Sequence, residues 1–399
     1  MKPVLPVFIG LSLIASCGAG PSAGSPSSAP SSAPPTGEVG AGVPKFWVRP
    51  GYRVDLAGDK ISGARFLEVD DKGIVYVSRP NQGDILTFRY ENGKLKPLGT
   101  FISGKSSVHG MQFADGWLWY TTTGAIYKSR DKNGDGKSDE DVTVIAEGNL
   151  PRGGGHWWRP ILVTQDAIYT GIGDNGNISE AKNEREKLFR FDKQGGNKTL
   201  WSTGIRNTEK LRLRPGTNEI YGADHGSDNF GGPLGERGGA NQPVTNLNPP
   251  CEFNRYVQDG FYGHPYVPGY GVPRYEYKDR PDILELVAKT ILPEWNFGAH
   301  WAPNGFTFLT KNGLGDDLKG DALVAMHGSW NSTVKVGYRI ERVMFDKALG
   351  RPIGGQPMVM TITQEGNVLA RPVDCVELAD GSVLFSCDAT GKIFRIRKS

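Results

Sequence analysis

The chain has 399 residues, with 55 glycines, 27 prolines and a net charge of +3 spread along its length. Long polar helical patterns are scarce and no dense basic run occurs, which argues against a helical bundle and against nucleic acid as a partner. The length suits one large domain or two ordinary ones, and the glycine and proline content favours an all-β chain with many turns.

Residues 1–17, MKPVLPVFIGLSLIASC, read as an export signal: one lysine, an apolar run too short to span a membrane, and a small-residue cleavage site. The LIASC ending resembles a bacterial lipobox, in which Cys17 is acylated after cleavage; the plainer reading is a secretory signal with Cys17 incidental. Residues 18–44 form a Ser/Pro/Gly/Ala tract that suits a tether and cannot build a core. The folded domain is therefore expected over 45–399, exported and either periplasmic or held at the outer membrane through Cys17. No later segment is apolar enough to span a bilayer.

From residue 46 one pattern returns six times: a strand, a turn, a second strand, then a third carrying basic residues. In order these are ARFLEVDDKGIVYVS with GDILTFRY, HGMQFADGWLWYTT with GAIYKSR, and RPILVTQDAIYTGIG with EKLFRFD. Then come EKLRLRPGTNEIYGAD with EFNRYV, NGFTFLTKNGLGDDLKGDALVAMHG with GYRIERVMFD, and PVDCVELADGSVLFSCD with GKIFRIRK. The turns fall near 73, 116, 167, 217, 313 and 381, and the early spacing matches one four-stranded blade per unit. The expectation is a six-bladed β-propeller. FWVRPGYRVDLAG (46–58) supplies an outer strand that closes the ring, and residues 225–299 carry a long loop insertion. A two-domain β-sandwich is the alternative, and the regular spacing argues against it.

Within the second unit, DKNGDGKSDED places Asp131, Asn133, Asp135 and Asp139 as in the first nine positions of a calcium loop. Val142 stands where an EF-hand has Glu, so a calcium-binding hairpin loop or a solvated acidic turn are the readings. At the last turn, a strict two-residue loop pairs Cys375 with position 386, whereas a three-residue loop or a bulge brings Cys375 and Cys387 together.

The innermost strands of a propeller line its channel, and their openings here carry Arg65, His109, His156, Arg206, His300 and Arg371. These would gather at one mouth as a cationic funnel for a ligand with several carboxylates or phosphates. HGSDN (225–229) and HGSWN (327–331) join the rim, and Trp157, Trp158, Trp301 and Trp330 could sandwich a flat ring.

Several pieces together resemble the soluble PQQ-dependent glucose/sorbosone dehydrogenase family, in particular L-sorbosone dehydrogenase-like sequences. They are GGGHWWRPILV, TGIRNTEKLRLRPGTNEIYGADHGSDN, FNRYVQDGFYGHPY, HWAPNGFTF, MHGSWNSTVKVGYRIERV and RPVDCVELADGSVLFSCDATGKIFRI, in family order across most of 46–399. The resemblance implies a six-bladed propeller that oxidises a sugar with PQQ and Ca2+, and passes electrons to a quinone or cytochrome-type acceptor. It implies His156 as general base with Asp174 behind it, and Arg206 and Asn207 at the quinone oxygens. Arg371 is the implied carboxylate-binding arginine, and Gly226 and Ser227, with Glu252 nearby, are the implied calcium ligands. His109, Arg159, His300, Trp301, His327 and Trp330 complete the expected cofactor contacts. The chain departs from some members at Val373, where they have a second arginine, and at HGSWN, where they have a lysine. A calcium-dependent lactonase and a non-catalytic carbohydrate-binding propeller are the alternative functions.

Overall fold

The computed structural model describes residues 36–230 and 244–399. The export signal, Cys17 and most of the tether lie outside the described residues. The packed body begins at Thr36 rather than 45, because Glu38–Val39 already pairs in parallel with Tyr52–Gly58.

Short runs of β-branched and aromatic residues, such as IVYVSR over Ile74–Arg79, favour extended backbone. Tight turns fold each run back on its predecessor. Gly116 (φ 74°) and Gly381 (φ 76°) sit at two of these turns in the left-handed region, where a side chain would be strained. The result is six four-stranded antiparallel blades. The first is Leu67–Val69, Ile74–Arg79, Asp84–Glu91 and Lys94–Ile102, and the second Met111–Ala114, Trp117–Thr121, Ile126–Arg130 and Glu140–Ile145. The third is Leu162–Val163, Ala167–Ile172, Lys187–Asp192 and Thr199–Thr203, and the fourth Thr208–Leu213, Ile220–Asp224, Pro250–Tyr256 and Trp295–Ala299. The fifth is Pro303–Phe308, Ala322–Met326, Arg339–Phe345 and Pro352–Met360. The sixth joins Pro372–Glu377, Val383–Cys387 and Lys392–Lys398 to the N-terminal strand Tyr52–Gly58, which closes the ring as the sequence predicts.

The first strands of successive blades contact one another in cyclic order, from blade one through blade six and back. Between blades, apolar side chains interlock. Val373 of blade six packs with Phe66, Ile74 and Tyr76 of blade one and Met111 of blade two. Phe253 of blade four meets Phe306 of blade five edge-on, with ring centroids 5.2 Å apart. Burying one such ring contributes about 1.5–3 kcal/mol.

The innermost strand of blade four, TEKLRL, is polar and reaches across to other blades. Lys210 Nζ meets both Asp374 oxygens at 2.6 Å, and Arg212 Nη2 meets Glu68 Oε2 at 2.6 Å. Such buried pairs fix register between blades, and losing one partner strands the other charge.

Residues 225–299 are an insertion only in part. They supply the third and fourth strands of blade four, and Gly260–Phe261 adds a parallel edge to blade three. The helix Ile283–Lys289 lies between them. No helix among the described residues is long and apolar enough to cross a membrane. Cys251, Cys375 and Cys387 are free and buried; the turn between Glu377 and Val383 pairs Cys375 with Phe385, a bulge beyond it pairs Pro372 with Cys387, and Cys387 Sγ accepts the Arg371 N–H.

Candidate active site

Loops that leave blades three to five converge on one cavity of 430 Å3. His156 comes from the segment before Leu162–Val163, and Arg206 stands two residues before Thr208–Leu213. His225, Gly226 and Asp228 follow Ile220–Asp224, and His300 follows Trp295–Ala299. Gly328, Trp330 and Asn331 follow Ala322–Met326. The two similar loops clasp each other: Asn229 N–H donates to Asn331 Oδ1 at 3.3 Å, and Asn331 Nδ2 donates back to Asn229 Oδ1 at 3.2 Å.

His156 is half-buried, and its Nδ1 lies 3.0 Å from the main-chain oxygen of Asp174. A carbonyl only accepts, so Nδ1 carries the proton and Nε2 is the ring's acceptor nitrogen. Burial, and then the Arg206 charge, hold the imidazole down to about 3, so it is neutral at ordinary pH. Asp174 therefore supports His156 through its backbone, not through its carboxylate as the family resemblance implies. The carboxylate turns to His264 Nε2 (2.9 Å) and to the amides of Gly176 (2.7 Å) and Ser179 (2.9 Å). Burial pushes the Asp174 carboxyl up, but these donors outweigh it and hold it below the usual range.

Arg206 is 6% exposed and lines the cavity. Its Nε and Nη2 donate to Asn177 at 3.0 and 3.1 Å, and Asp228 lies 3.8 Å from Nη2. His300, with φ 64°, donates through Nε2 to Thr245 O (2.5 Å), and its Nδ1 is 3.9 Å from Asp228. Burial raises the Asp228 carboxyl, opposed by Arg206 and His300.

The expected ring of six cations divides here. His156, Arg206 and His300 line the cavity, whereas Arg65, His109 and Arg371 do not. Arg65 bridges Asp388 (2.7 Å) and Glu209 (3.1 Å), and His109 Nε2 lies 3.4 Å from the same Glu209. Burial pushes Glu209 up, but His109 and Arg65 hold it well below the usual carboxylate range. The rim is therefore charge-compensated rather than cationic. Arg371 donates to the main-chain oxygens of His327 and Gly328, which orders the loop behind the cavity.

Other expected contacts also do structural work. Arg159 is fully buried and donates to Thr123 O, His156 O and Pro151 O. Asn207 Nδ2 points at Glu209 and His225, and His327 at Asp388. Trp301 packs in the core under Arg339, while Trp330 lines the cavity and is 76% exposed. Gly226 lines the cavity, but Ser227 is buried against Arg274 and is not among its lining residues. Glu252 does not line the cavity either: its two oxygens accept from Gly269 N–H and Asn254, and burial with Asp224 pushes it up to about 8.

In the loop over 131–139, Asp131 accepts amides of Asn133, Gly134 and Gly136, and Asn133 and Asp135 accept amides two residues on. Asp139 accepts the Lys132 amide. Asn177, His225, Asp228, Cys251 and Asn331 line the cavity without an individual role read from sequence. HGSDN and HGSWN were the signal for three of them; Asn177 carried none.

Residues 287–399 match the family described as TrAA12-like. The fold is similar to that of the Trichoderma reesei carbohydrate-active enzyme of family AA12, at 20% identity over 90% of this chain and 98% of that one, with TM-score 0.75. It is also similar to the holo PQQ domain of Coprinopsis cinerea pyranose dehydrogenase, at 19% identity over 90% and 100%, with TM-score 0.74. The PQQ-bound aldose sugar dehydrogenase of Streptomyces coelicolor aligns at 15% identity over 88% and 100%, with TM-score 0.60. At these identities the likeness carries the fold: a six-bladed propeller whose structural neighbours are AA12 and PQQ-dependent sugar dehydrogenases.

Proposed function

We propose that this chain oxidises an aldose or related sugar by hydride transfer to PQQ, held with Ca2+ in the cavity of His156 and Arg206. The observation that carries the reading is the tautomer-locked, neutral His156 facing a cavity that also presents a guanidinium. The residues fit the cofactor. A volume of 430 Å3 lies in the range of small-molecule sites, roughly 300–1,000 Å3. Arg206 offers donors to a carboxylate or quinone oxygen, and Trp330 offers an exposed aromatic face. Asp228 and the main-chain oxygen of Gly226 are oxygen ligands of the kind calcium takes. A cation there would offset the Asp228 charge and leave the cavity positive toward a polyanion.

When bound, PQQ supplies an electrophilic quinone that accepts the hydride. His156 Nε2 takes the proton of the sugar hydroxyl, and the bond from Nδ1 to Asp174 O keeps the ring aimed during the transfer. Arg206 is fixed by Asn177 and stabilises negative charge where it develops. Export with an acyl anchor at Cys17, and electron transfer to a quinone or cytochrome-type acceptor, complete the reading. Sugar specificity follows from a panel assay. Titration of the apo-protein with PQQ at fixed Ca2+, then addition of aldoses, tests the whole: saturable binding and sugar-dependent reduction are expected. A chain that binds no PQQ refutes it.

A further inference from the structure

Behind His156 lies a second cluster that this reading does not use. Asp174, Glu186 and His264 come from three separate segments: the loop after Ala167–Ile172, the residue before Lys187–Asp192, and the turn after Gly260–Phe261. They are 0%, 1% and 6% exposed. One ligand atom from each lies within 4.8 Å of the others, the one such group of three among the described residues. Glu186 Oε2 is buried and has no hydrogen-bond partner. An orphan carboxylate oxygen in such a place costs roughly 1–3 kcal/mol or more. Arg185 adjoins the cluster, but its guanidinium is committed to the main-chain oxygens of Gly173, Arg152 and Gly153. Two buried carboxylates and an imidazole thus face one another with no cation placed between them.

We infer that Asp174, Glu186 and His264 form a binding site for a divalent transition-metal ion of the Zn2+ type, which braces the loop whose Asp174 carbonyl holds the proposed base. The ligand chemistry favours this class over calcium, because imidazole nitrogen suits zinc and its neighbours while calcium takes oxygen ligands in larger number. The ligand atoms lie within 4.8 Å of one another, so the wider separations must close by up to about 1.5 Å on binding. Zinc bonds of about 2.0 Å in tetrahedral geometry place ligand atoms about 3.3 Å apart. The Asp174 Oδ2–His264 Nε2 separation of 2.9 Å would open by a few tenths of an ångström as the shared proton leaves. A 2+ ion would cancel the two carboxylate charges. Water could fill the fourth position, since Glu186 also lines a neighbouring cavity of 520 Å3 with Asn175, Glu180 and Asn183. The consequence for the active site is positional: the main-chain oxygen of the same Asp174 holds His156 Nδ1. The site needs no quinone, so it stands or falls apart from the proposed dehydrogenase activity.

The test uses untagged full-length protein without PQQ. None of the six histidines is exposed, so adventitious binding at surface imidazoles is small. Zn2+ alone is added by calorimetric titration in buffer containing Ca2+. One ion per chain is expected, with a rise in melting temperature that a chelator reverses. Glu186→Gln keeps the shape and removes the charge; it should bind Zn2+ about 100-fold more weakly and lose the melting-temperature rise. X-ray absorption on the wild-type zinc-loaded chain gives a measurement independent of any variant's folding. It should show a shell near 2.0 Å that includes one imidazole. An absence of stoichiometric binding, equal affinity in folded Glu186→Gln, or an all-oxygen shell would each overturn the site.

Discussion

Replacing His156 by Asn tests the proposed chemistry most directly. The side chain is half-buried and makes one polar contact, the 3.0 Å bond to Asp174 O. Its loss should cost stability only about 1 kcal/mol, which in a body of this size lowers Tm by no more than about 3 °C. The effect on rate should be far larger. A positioned general base is worth about 10²–10⁴ in rate, or about 2.7–5.5 kcal/mol of barrier. Asn supplies no basic nitrogen, so single-turnover reduction of PQQ by sugar should slow by that factor while PQQ affinity stays within a few-fold. The wild-type rate should fall only in strong acid, toward the depressed His156 value of about 3 rather than near 6.5, and Asn should abolish that limb. Added imidazole should restore part of the rate. A folded His156→Asn protein with a rate within about threefold of wild type, or one that loses PQQ binding and keeps its turnover, would refute the assignment.

Glu209→Gln should destabilise by about 3 kcal/mol in urea melts, because Arg65 and His109 lose their common carboxylate although Arg65 keeps Asp388; a change below about 0.5 kcal/mol, the scatter of surface substitutions, would show that the hub is unimportant. The loop over 131–139 is proposed to bind calcium structurally, so Ca2+ should raise the wild-type Tm and Asp131→Ala with Asp135→Ala should remove that rise; a wild-type melt indifferent to Ca2+ would rule it out. Stability should also fall in acid. Burial, and the Arg206 charge, hold His156 to about 3 and His225 to about 4, below the unfolded imidazole value of about 6.5. The unfolded chain then binds more protons between those values, so this contribution is complete above about pH 6.5 and is lost as pH falls toward 4. His225→Gln should flatten the dependence, and equal urea midpoints at pH 7 and 4.5 would contradict it.

The blades were legible because their signal is local. Runs of β-branched and aromatic residues such as IVYVSR and DILTFRY, and turns at Gly73, Gly116 and Gly381, fix strands and reversals within a dozen residues. The closing strand Tyr52–Gly58 was legible for the same reason. The early start at Thr36 was not, because two residues, Glu38 and Val39, join an edge in a tract whose composition reads as tether. Within the site, His156, Arg206 and His300 followed from their repeated place before inner strands. The role of Asp174 was half legible. Sequence resemblance put it behind His156, but only the fold shows the carbonyl doing the holding while the carboxylate faces His264, 90 residues away.

The misreading of the cationic ring has a physical cause that bears on the site itself. Cations at equivalent strand openings are visible as a repeat, whereas their partners break the repeat. Glu209 sits inside one strand of blade four, and Asp388 follows the second strand of blade six. Each carboxylate is shared by residues of other blades: Glu209 by Arg65 and His109, Asp388 by Arg65 and His327. Buried charges this close must be compensated, or their desolvation would outweigh the packing around them. Compensation leaves Arg206 as the cation that reaches the cavity wall, itself only 3.8 Å from Asp228. If the cavity holds PQQ as proposed, a cation that neutralises Asp228 should tighten the binding of that polyanion rather than merely accompany it.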